Sequence, residues 1–192
     1  MALADLAIVI LAGGRATRFP GKLEASLDGV PLLARVYENL REAAPVVIAG
    51  RGGFSDALDM RLDCPLVIDR VPDRGPLGGL VTACGAVRAA RVFAVAGDAP
   101  HVNASVLDAL LDAWRAGDEA VVPSHGERIE PLAALYDREA LLREGSALLA
   151  ERASASMHAC VERLRARTVT MGADLFTNVN TADDLLRSQG TR

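Results

Sequence analysis

The sequence predicts an α/β fold, a three-layer α/β/α sandwich built on a mostly parallel, Rossmann-like sheet. Short apolar runs rich in Val and Ile alternate with longer segments whose apolar residues recur at helical spacing, as in parallel strands joined by helices. Hydrophobic residues make up 51% of the 192 residues and aromatic residues only 4%, which favours an aliphatic core between helices and a sheet. This length suits a single domain over residues 1–192.

The strands predicted in the first half of the chain are short and apolar throughout, as expected when both faces of a sheet are covered. The last of them is followed by an acidic residue and is predicted to be central. In order, the strands are Leu6 to Leu11, Val46 to Ile48, Leu66 to Ile68 and Val92 to Ala96.

Helices are predicted between these strands from the spacing of apolar residues. One begins at Pro31, a residue favoured in the first helical turn, and a second spans Leu77 to Ala90. A third is capped by Asn103, whose side chain can accept a hydrogen bond from the first turn. The apolar positions of this third helix are Val106, Leu107, Leu110, Leu111 and Trp114.

The alternation loosens in the second half of the chain. Two apolar runs flank a polar turn there, which indicates a hairpin or a pair of neighbouring strands. Thr181 is predicted to cap a last helix through Leu186. The other elements predicted are strands at Ala120 to Pro123, Leu132 to Tyr136 and Thr168 to Met171, and a helix-rich segment from Arg138 to Arg165.

Charge and cysteine usage exclude several classes of function. The net charge of −4 gives no basic face for nucleic acid, so we expect no nucleic-acid partner. No apolar stretch is long enough to span a bilayer, and no basic region precedes the first apolar run, so we expect a cytoplasmic protein without a membrane partner. Cys64, Cys84 and Cys160 show no metal-binding spacing, and we expect free, buried thiols.

The loop after the first strand predicts a polyphosphate ligand. Gly13 and Gly14 permit close approach of the backbone, while Arg15, Arg18 and Lys22 can neutralise phosphates. The loop is not a P-loop, because Gly14 lies too far from Gly21-Lys22 and a leucine stands where Ser or Thr would hold magnesium. It also lacks the GxGxxG of dinucleotide folds.

Three further segments carry polar or glycine-rich patterns. The cluster from Gly75 to Gly79 precedes a predicted helix and follows Asp69 at a strand end, where an anion or a base could bind, although a tight turn explains it equally well. Asp98 follows the central strand, where a buried carboxylate needs a cation, and Mg²⁺ bridging to substrate phosphates would supply one. Asn178 and Asn180 precede the last helix and, taken alone, suit a turn.

Together these segments resemble the molybdenum cofactor guanylyltransferase family, within the nucleoside-triphosphate transferases. The family pattern comprises LAGGxSxRMGxDK, a turn before PLL, GPLxG, DxP and NVNTxxDL. The likeness covers nearly the whole chain. The corresponding segments here are Leu11 to Lys22, Leu27 to Leu33, Gly75 to Gly79, Asp98 to Pro100 and Asn178 to Leu185.

The resemblance implies a fold of the nucleotide-diphospho-sugar transferase type and transfer of GMP from GTP to the terminal phosphate of molybdopterin or Mo-molybdopterin, with release of pyrophosphate. Lys22, Arg18 and Asp98 would be catalytic, with Asp98 also ligating Mg²⁺. Other cofactor-biosynthesis proteins would be transient partners. The implied substrate-binding residues are Leu11, Ala12, Gly13, Gly14, Lys22, Asp69, Gly75, Pro76, Gly78, Asp98, Asn178 and Asn180.

The chain departs from the family pattern at two places. Phe19-Pro20-Gly21 replaces the Met-Gly pair and the acidic residue before the lysine, and Ala49-Gly50-Arg51 stands where the family often has an asparagine used in base recognition. A CTP-using molybdopterin cytidylyltransferase, or a nucleotidyltransferase for another small acceptor, therefore stays open. A non-catalytic nucleotide-binding module in cofactor delivery is the alternative outside the enzymes.

Overall fold

A computed structural model describes residues 5–13, 19–69, 74–151 and 155–189. Within these residues one large sheet has the strand order β10-β7-β9-β6-β1-β4-β5, and a short β8 pairs with β7. All pairings in this sheet are parallel except those of β9 with β6 and β7, and of β8 with β7. The strands are β1 Leu6–Ala12, β4 Val46–Gly50, β5 Leu66–Ile68, β6 Arg91–Ala96, β7 Ala120–His125, β8 Arg128–Ile129, β9 Ala133–Asp137 and β10 Ala166–Thr170, with a separate hairpin of β2 Ser26–Leu27 and β3 Val30–Pro31.

Helices cover both faces of this sheet. Their buried apolar residues pack against the sheet, as in Leu32–Leu40, where six of nine residues are buried, except that the last helix packs on the small cluster around Leu27. The predicted Asn103 cap is present, its side-chain oxygen accepting the N–H of Ser105 at 3.0 Å. The helices are α1 Leu32–Leu40, α2 Asp56–Asp59, α3 Gly75–Ala86, α4 Ala104–Ala113, α5 Arg138–Glu151, α6 Met157–Arg163 and α7 Ala182–Gln189.

Alternate residues of β1 point into two separate cores. Ile8 and Ile10 pack with α1 and α4, whereas Val9 and Leu11 pack with α3, α5 and α6. Because side chains alternate across a strand, a strand that is apolar at every position requires helices on both faces. The predicted three-layer sandwich is therefore confirmed, with β6 and β1 in its interior.

Several predicted boundaries were wrong. The helix predicted at Leu77 to Ala90 begins at Gly75 and ends at Ala86, because Val87 is already extended. The glycine cluster therefore forms the first turn of α3 and does not precede it. Pro31 ends β3 and is the N-cap of α1, one position before the first turn. The last helix extends beyond Leu186 to Gln189.

The order in which the chain adds strands to the sheet reverses between β1 and β6. After β1 the chain continues to β4 on one side, and it later returns to β6 on the other side. In open α/β sheets a switch of this kind marks a crevice at the carboxyl ends of the strands. None of the helices in the described part of the chain has the length and apolar character needed to cross a membrane.

Candidate functional site

A cavity of about 490 Å³ lies at the carboxyl ends of β1, β4, β5 and β6. This volume is in the range of small-ligand sites. Backbone and small side chains form much of its wall, and two cationic side chains and two carboxylates stand among them. The lining residues are Leu11, Gly13, Lys22, Leu23, Ala49, Gly50, Arg51, Asp69, Gly75, Pro76, Gly79, Ala96, Asp98 and Leu132.

A tight turn directs Lys22 into this cavity. The N–H of Lys22 donates to the carbonyl oxygen of Phe19 at 3.2 Å, with Pro20 and Gly21 in between. Gly21 has φ 71° and ψ 14°, which matches the third position of a type II turn and favours glycine. Phe19 packs on the small cluster that includes Leu27. The departure at Phe19-Pro20-Gly21 is thus a Pro-Gly turn that fixes the backbone of the lysine.

Lys22 joins two oxygens that come from distant parts of the chain. Its ammonium contacts the carboxylate of Asp98 at Oδ2. It also donates to Oδ1 of Asn180 at 3.3 Å. The side chains of Lys22 and Asp98 are 20% and 14% exposed, so this ion pair is mostly shielded from water and still open to the cavity.

The segment that carries Asn180 is anchored on both sides. Val179 is fully buried against Leu27 and Leu32, and its N–H donates to the carbonyl oxygen of Asp98 at 2.9 Å. The carboxylate of Asp184 accepts the N–H groups of Asn180 and Thr181 at 3.0 and 2.9 Å. Hydrogen bonding with the Thr181 side chain, followed by these two N–H groups, lowers the pKa of Asp184.

The predicted Thr181 cap of α7 is present, because Thr181 also accepts a hydrogen bond from Asp184. The N–H of Asp184 donates to Oγ1 of Thr181 at 3.1 Å, which completes a reciprocal pair of caps. The contacts of Val179 and Thr181, on either side of Asn180, therefore hold Asn180 beside Lys22.

The opposite wall of the cavity is built from β4, β5 and α3. Asp69 follows β5, its N–H donating to the carbonyl oxygen of Gly50 at 3.1 Å. Its carboxylate accepts Oγ1–H of Thr82 on α3 at 3.4 Å. Gly75 and Pro76 bring the N-terminus of the twelve-residue α3 to the cavity. A helix N-terminus favours negative charge, so this wall suits a polar ligand with an anionic group nearby.

A glycine lets β6 approach β1 closely just before Asp98. A Cβ on Gly97 would lie 3.1 Å from both the carbonyl oxygen of Leu11 and Cδ1 of Leu33. The N–H of Gly97 donates to the same carbonyl at 3.0 Å. This close contact sets where Asp98 leaves the sheet.

The structure brings together most of the residues predicted from the sequence. Ala12 is buried between the lining residues Leu11 and Gly13, and Gly78 lies within α3 behind the cavity wall. Asn178 is exposed and makes none of the described contacts to Lys22 or Asp98. Gly14 and Arg18 lie outside the described residues. The residues that meet at the cavity are Leu11, Gly13, Lys22, Asp69, Gly75, Pro76 and Asp98, with Asn180 attached through Lys22.

Sequence reasoning missed Arg51, Leu23 and Leu132 as lining residues. Arg51 was noted only as a departure from the family pattern. The residue count carries a further signal: Lys22 is the only lysine in the chain, and twenty arginines supply the other basic side chains. A lone lysine among many arginines indicates a position where a compact, movable charge is needed.

A doubly covered sheet with a cation, carboxylates and bare glycine backbone at its carboxyl edge is the arrangement of a nucleotidyltransferase, an enzyme that handles nucleoside triphosphates. The model of the MobA-like NTP transferase domain matches residues 8–174. The chain belongs to this family.

Individual proteins agree with this assignment. A probable molybdenum cofactor guanylyltransferase of Natronomonas pharaonis is 31% identical over 94% of this chain and 95% of its own length. The structure of molybdopterin-guanine dinucleotide biosynthesis protein A from Archaeoglobus fulgidus superposes with a TM-score of 0.80 at 25% identity, covering 95% of this chain and 96% of that one.

The fold extends to more distant enzymes. The structure of 4-diphosphocytidyl-2C-methyl-D-erythritol synthase from Anaerococcus prevotii has a TM-score of 0.76 at 12% identity, covering 98% of both chains. At this identity the likeness concerns the fold alone. The predicted nucleotide-diphospho-sugar transferase type of fold is confirmed.

Proposed function

We propose that this nucleotidyltransferase transfers GMP from GTP to the terminal phosphate of molybdopterin, with release of pyrophosphate. The observation that carries the proposal is the meeting of Lys22, Asp98 and Asn180 at the cavity opened by β1 and β6. The name of the Natronomonas relative, a guanylyltransferase of the molybdenum cofactor, supports these substrates.

The chemistry of the wall near β4 and β5 supports a guanine base. Guanine presents O6 and N7 as acceptors and its 2-amino group as a donor. Arg51 carries only donors and the Asp69 carboxylate only acceptors, so the two side chains are complementary to these groups. Arg51 is the residue we propose in place of the family's asparagine. Both residues line the cavity.

The donor set supports Mg²⁺ bound together with the triphosphate. Two oxygens, from Asp98 and Asn180, already converge on a single cation, the Lys22 ammonium. Within the described residues no three His, Cys, Asp or Glu side chains form a site of their own. This fits Mg²⁺, which takes one or two protein carboxylates and completes its shell with water and phosphate oxygens. When bound, the metal neutralises charge on the triphosphate.

The proposed reaction needs no basic side chain. A terminal phosphate oxygen of molybdopterin attacks the α-phosphorus of GTP, the bond from that phosphorus to the bridging oxygen breaks, and pyrophosphate leaves with the bonding electrons. The attacking phosphate is already an anion at neutral pH. Lys22 stabilises the charge that develops on the phosphoryl oxygens, and the backbone at Gly13 permits the phosphates to approach. Asp98 and Asn180 hold the cations in place.

The test is a comparison of triphosphates. Purified protein is incubated with Mg²⁺, molybdopterin and GTP, CTP or ATP in turn, and pyrophosphate and the dinucleotide product are measured. We expect turnover with GTP. Turnover with CTP but not GTP would establish the cytidylyltransferase alternative, and no turnover with any triphosphate would contradict the proposed acceptor.

Two isosteric variants distinguish a specific role of Asp98 from the general effect of losing one negative charge. Asp98→Asn removes one carboxylate at the junction, and we expect it to lower kcat by about 100-fold or more, the usual effect of removing a charge-stabilising group. Asp112→Asn makes the same change on an exposed position of α4 and is expected to leave turnover unchanged. Equal activity of the two variants would refute the role of Asp98.

A further inference from the structure

One basic side chain occupies the point where the Asp98 and Asn180 oxygens meet. Lys22 contacts the Asp98 carboxylate and donates to Asn180 at 3.3 Å. These are the same two oxygens that would hold a divalent cation beside the triphosphate. The ammonium therefore competes with a metal ion for this point, because it occupies the space where the two oxygens converge and repels a second cation.

We propose that Lys22 is an internal counter-cation that keeps divalent metal out of the site until a triphosphate draws its ammonium away. The proposal rests on the proposed function only in requiring a polyphosphate ligand, whatever its base or acceptor. Metal and triphosphate then bind as a pair, and neither binds well alone.

The geometry allows the ammonium to move while the backbone stays in place. The Pro20-Gly21 turn and the hydrogen bond from Lys22 N–H to Phe19 fix the main chain. The lysine side chain has a flexible four-carbon stem and is 20% exposed toward the cavity. The change required is a rotation of one side chain from carboxylate to phosphate.

The choice of residue supports this movement. Every other Lys or Arg position in the chain is arginine. An arginine at position 22 would present a rigid fork suited to a lasting bidentate pair with the Asp98 carboxylate. A lysine contacts the carboxylate as a point charge, so it can exchange partners without breaking a bidentate pair. The single lysine therefore stands where a cation must be released in each cycle.

The electrostatic consequence is a coupling between two ligands. In the resting site Lys22 neutralises Asp98, so an incoming metal meets no net negative charge there. A bound triphosphate accepts the ammonium and leaves the carboxylate free for the metal. By linkage, the factor by which triphosphate tightens metal binding equals the factor by which metal tightens triphosphate binding.

The first test measures Mn²⁺ binding without nucleotide, from the electron paramagnetic resonance signal of free Mn²⁺, which uses the same oxygen ligands as Mg²⁺. A neighbouring positive charge lowers the proton affinity of a carboxylate by about one to three powers of ten, and we take the same range for its affinity for a metal cation. We therefore expect Lys22→Met to bind Mn²⁺ at least about tenfold more tightly than the parent, and Lys22→Arg to bind it as weakly as the parent.

The matched control removes an equivalent cation elsewhere. Arg167 pairs with the Asp118 carboxylate at 2.8 and 3.1 Å at the amino end of the strands. Arg167→Met also frees a carboxylate, and we expect no gain in Mn²⁺ affinity because the side-chain hydrogen bonds of Arg167 in the described part of the chain go to the Asp118 oxygens alone. Unchanged affinity in Lys22→Met, or an equal gain in Arg167→Met, overturns the proposal.

The second test uses the unaltered protein. Labelling with ¹⁵Nζ-lysine gives one ammonium resonance, because the chain has one lysine. We expect millimolar Mg²⁺ alone to leave this signal in place, inorganic tripolyphosphate to shift it, and both together to shift it further. A signal moved by Mg²⁺ alone, or unmoved by tripolyphosphate, refutes the exchange. Neither test contains a nucleobase or molybdopterin. Their outcome therefore does not depend on whether GTP and molybdopterin are the substrates, which the comparison of triphosphates tests separately.

Discussion

Replacing Gly97 by alanine tests whether the close approach of β6 to β1 sets the position of Asp98. The new Cβ would lie 3.1 Å from the carbonyl oxygen of Leu11 and from Cδ1 of Leu33. Carbon atoms pack best at about 3.5–4.0 Å, so the contact with Leu33 is short by about 0.4 Å or more. The Leu11 carbonyl belongs to an interior strand and accepts the Gly97 N–H at 3.0 Å, so it cannot retreat without weakening that bond.

We expect Gly97→Ala to lower the free energy of unfolding by about 1–3 kcal/mol, the typical cost of an extra carbon in a packed core. Relief of the clash moves the start of the Asp98 loop, and misplacing a catalytic group by about 1 Å can cost about 100-fold in rate. A shift of a few tenths of an ångström should therefore lower kcat by about tenfold. Urea unfolding and pyrophosphate release measure the two effects.

Gly85→Ala is the matched control. Gly85 is exposed on α3, and a Cβ there would meet no heavy atom within 4 Å. Alanine in a helix is more stable than glycine by about 0.5–1 kcal/mol, so this variant should be more stable and fully active. If Gly97→Ala is as stable and active as Gly85→Ala, the steric reasoning is wrong.

Two further predictions concern protonation. The backbone N–H of Arg165 and two guanidinium groups hold the pKa of Glu119 below its usual value. The resulting stabilisation of the folded state is present above a pH of about 4.3 and is lost as the pH falls through the lowered pKa. The free energy of unfolding should therefore fall less steeply in acid for Glu119→Gln than for the parent, and parallel curves would contradict this. The structure buries Cys84 and Cys160 as predicted but leaves Cys64 only half-buried. Burial raises the pKa of Cys64 and Cys160 to about 11 and that of Cys84 to about 12, so Ellman's reagent at pH 8 should react slowly with the native protein and fast with the unfolded one. Rapid labelling of Cys84 or Cys160 in the native protein would refute their burial.

The strands and caps of this fold could be predicted because their signals are local. Leu66–Ile68 is an apolar run with the predicted bounds, and the caps at Asn103 and Thr181 need only a side chain and the next turn. The start of α3 could not be read in the same way. Gly75 and Pro76 are typical of turns, yet proline also suits the first helical turn because it lacks an N–H that would go unpaired. Spacing alone does not distinguish the two.

The chemistry of the site was predictable by residue type but not by arrangement. Lys22 and Asp98 stood out from their sequence contexts, and the structure brings them into contact across 76 positions. The resemblance implies only that Asn180 binds substrate, and its contact with Lys22 depends on the docking of a buried Val179. Local patterns carry no information about such a contact. The prediction of a single domain stays a prediction.

The distance along the chain between Lys22 and Asn180 has a consequence for biosynthesis. The two residues are 158 positions apart. At a ribosomal rate of about 5–20 residues per second, roughly 8–30 s pass between their additions to the growing polypeptide. During that interval β1, β4 and β6 can assemble, and Lys22 can pair with Asp98, before its third partner exists. A nascent chain can thus have most of the sheet in place while the junction that we propose for catalysis is still incomplete.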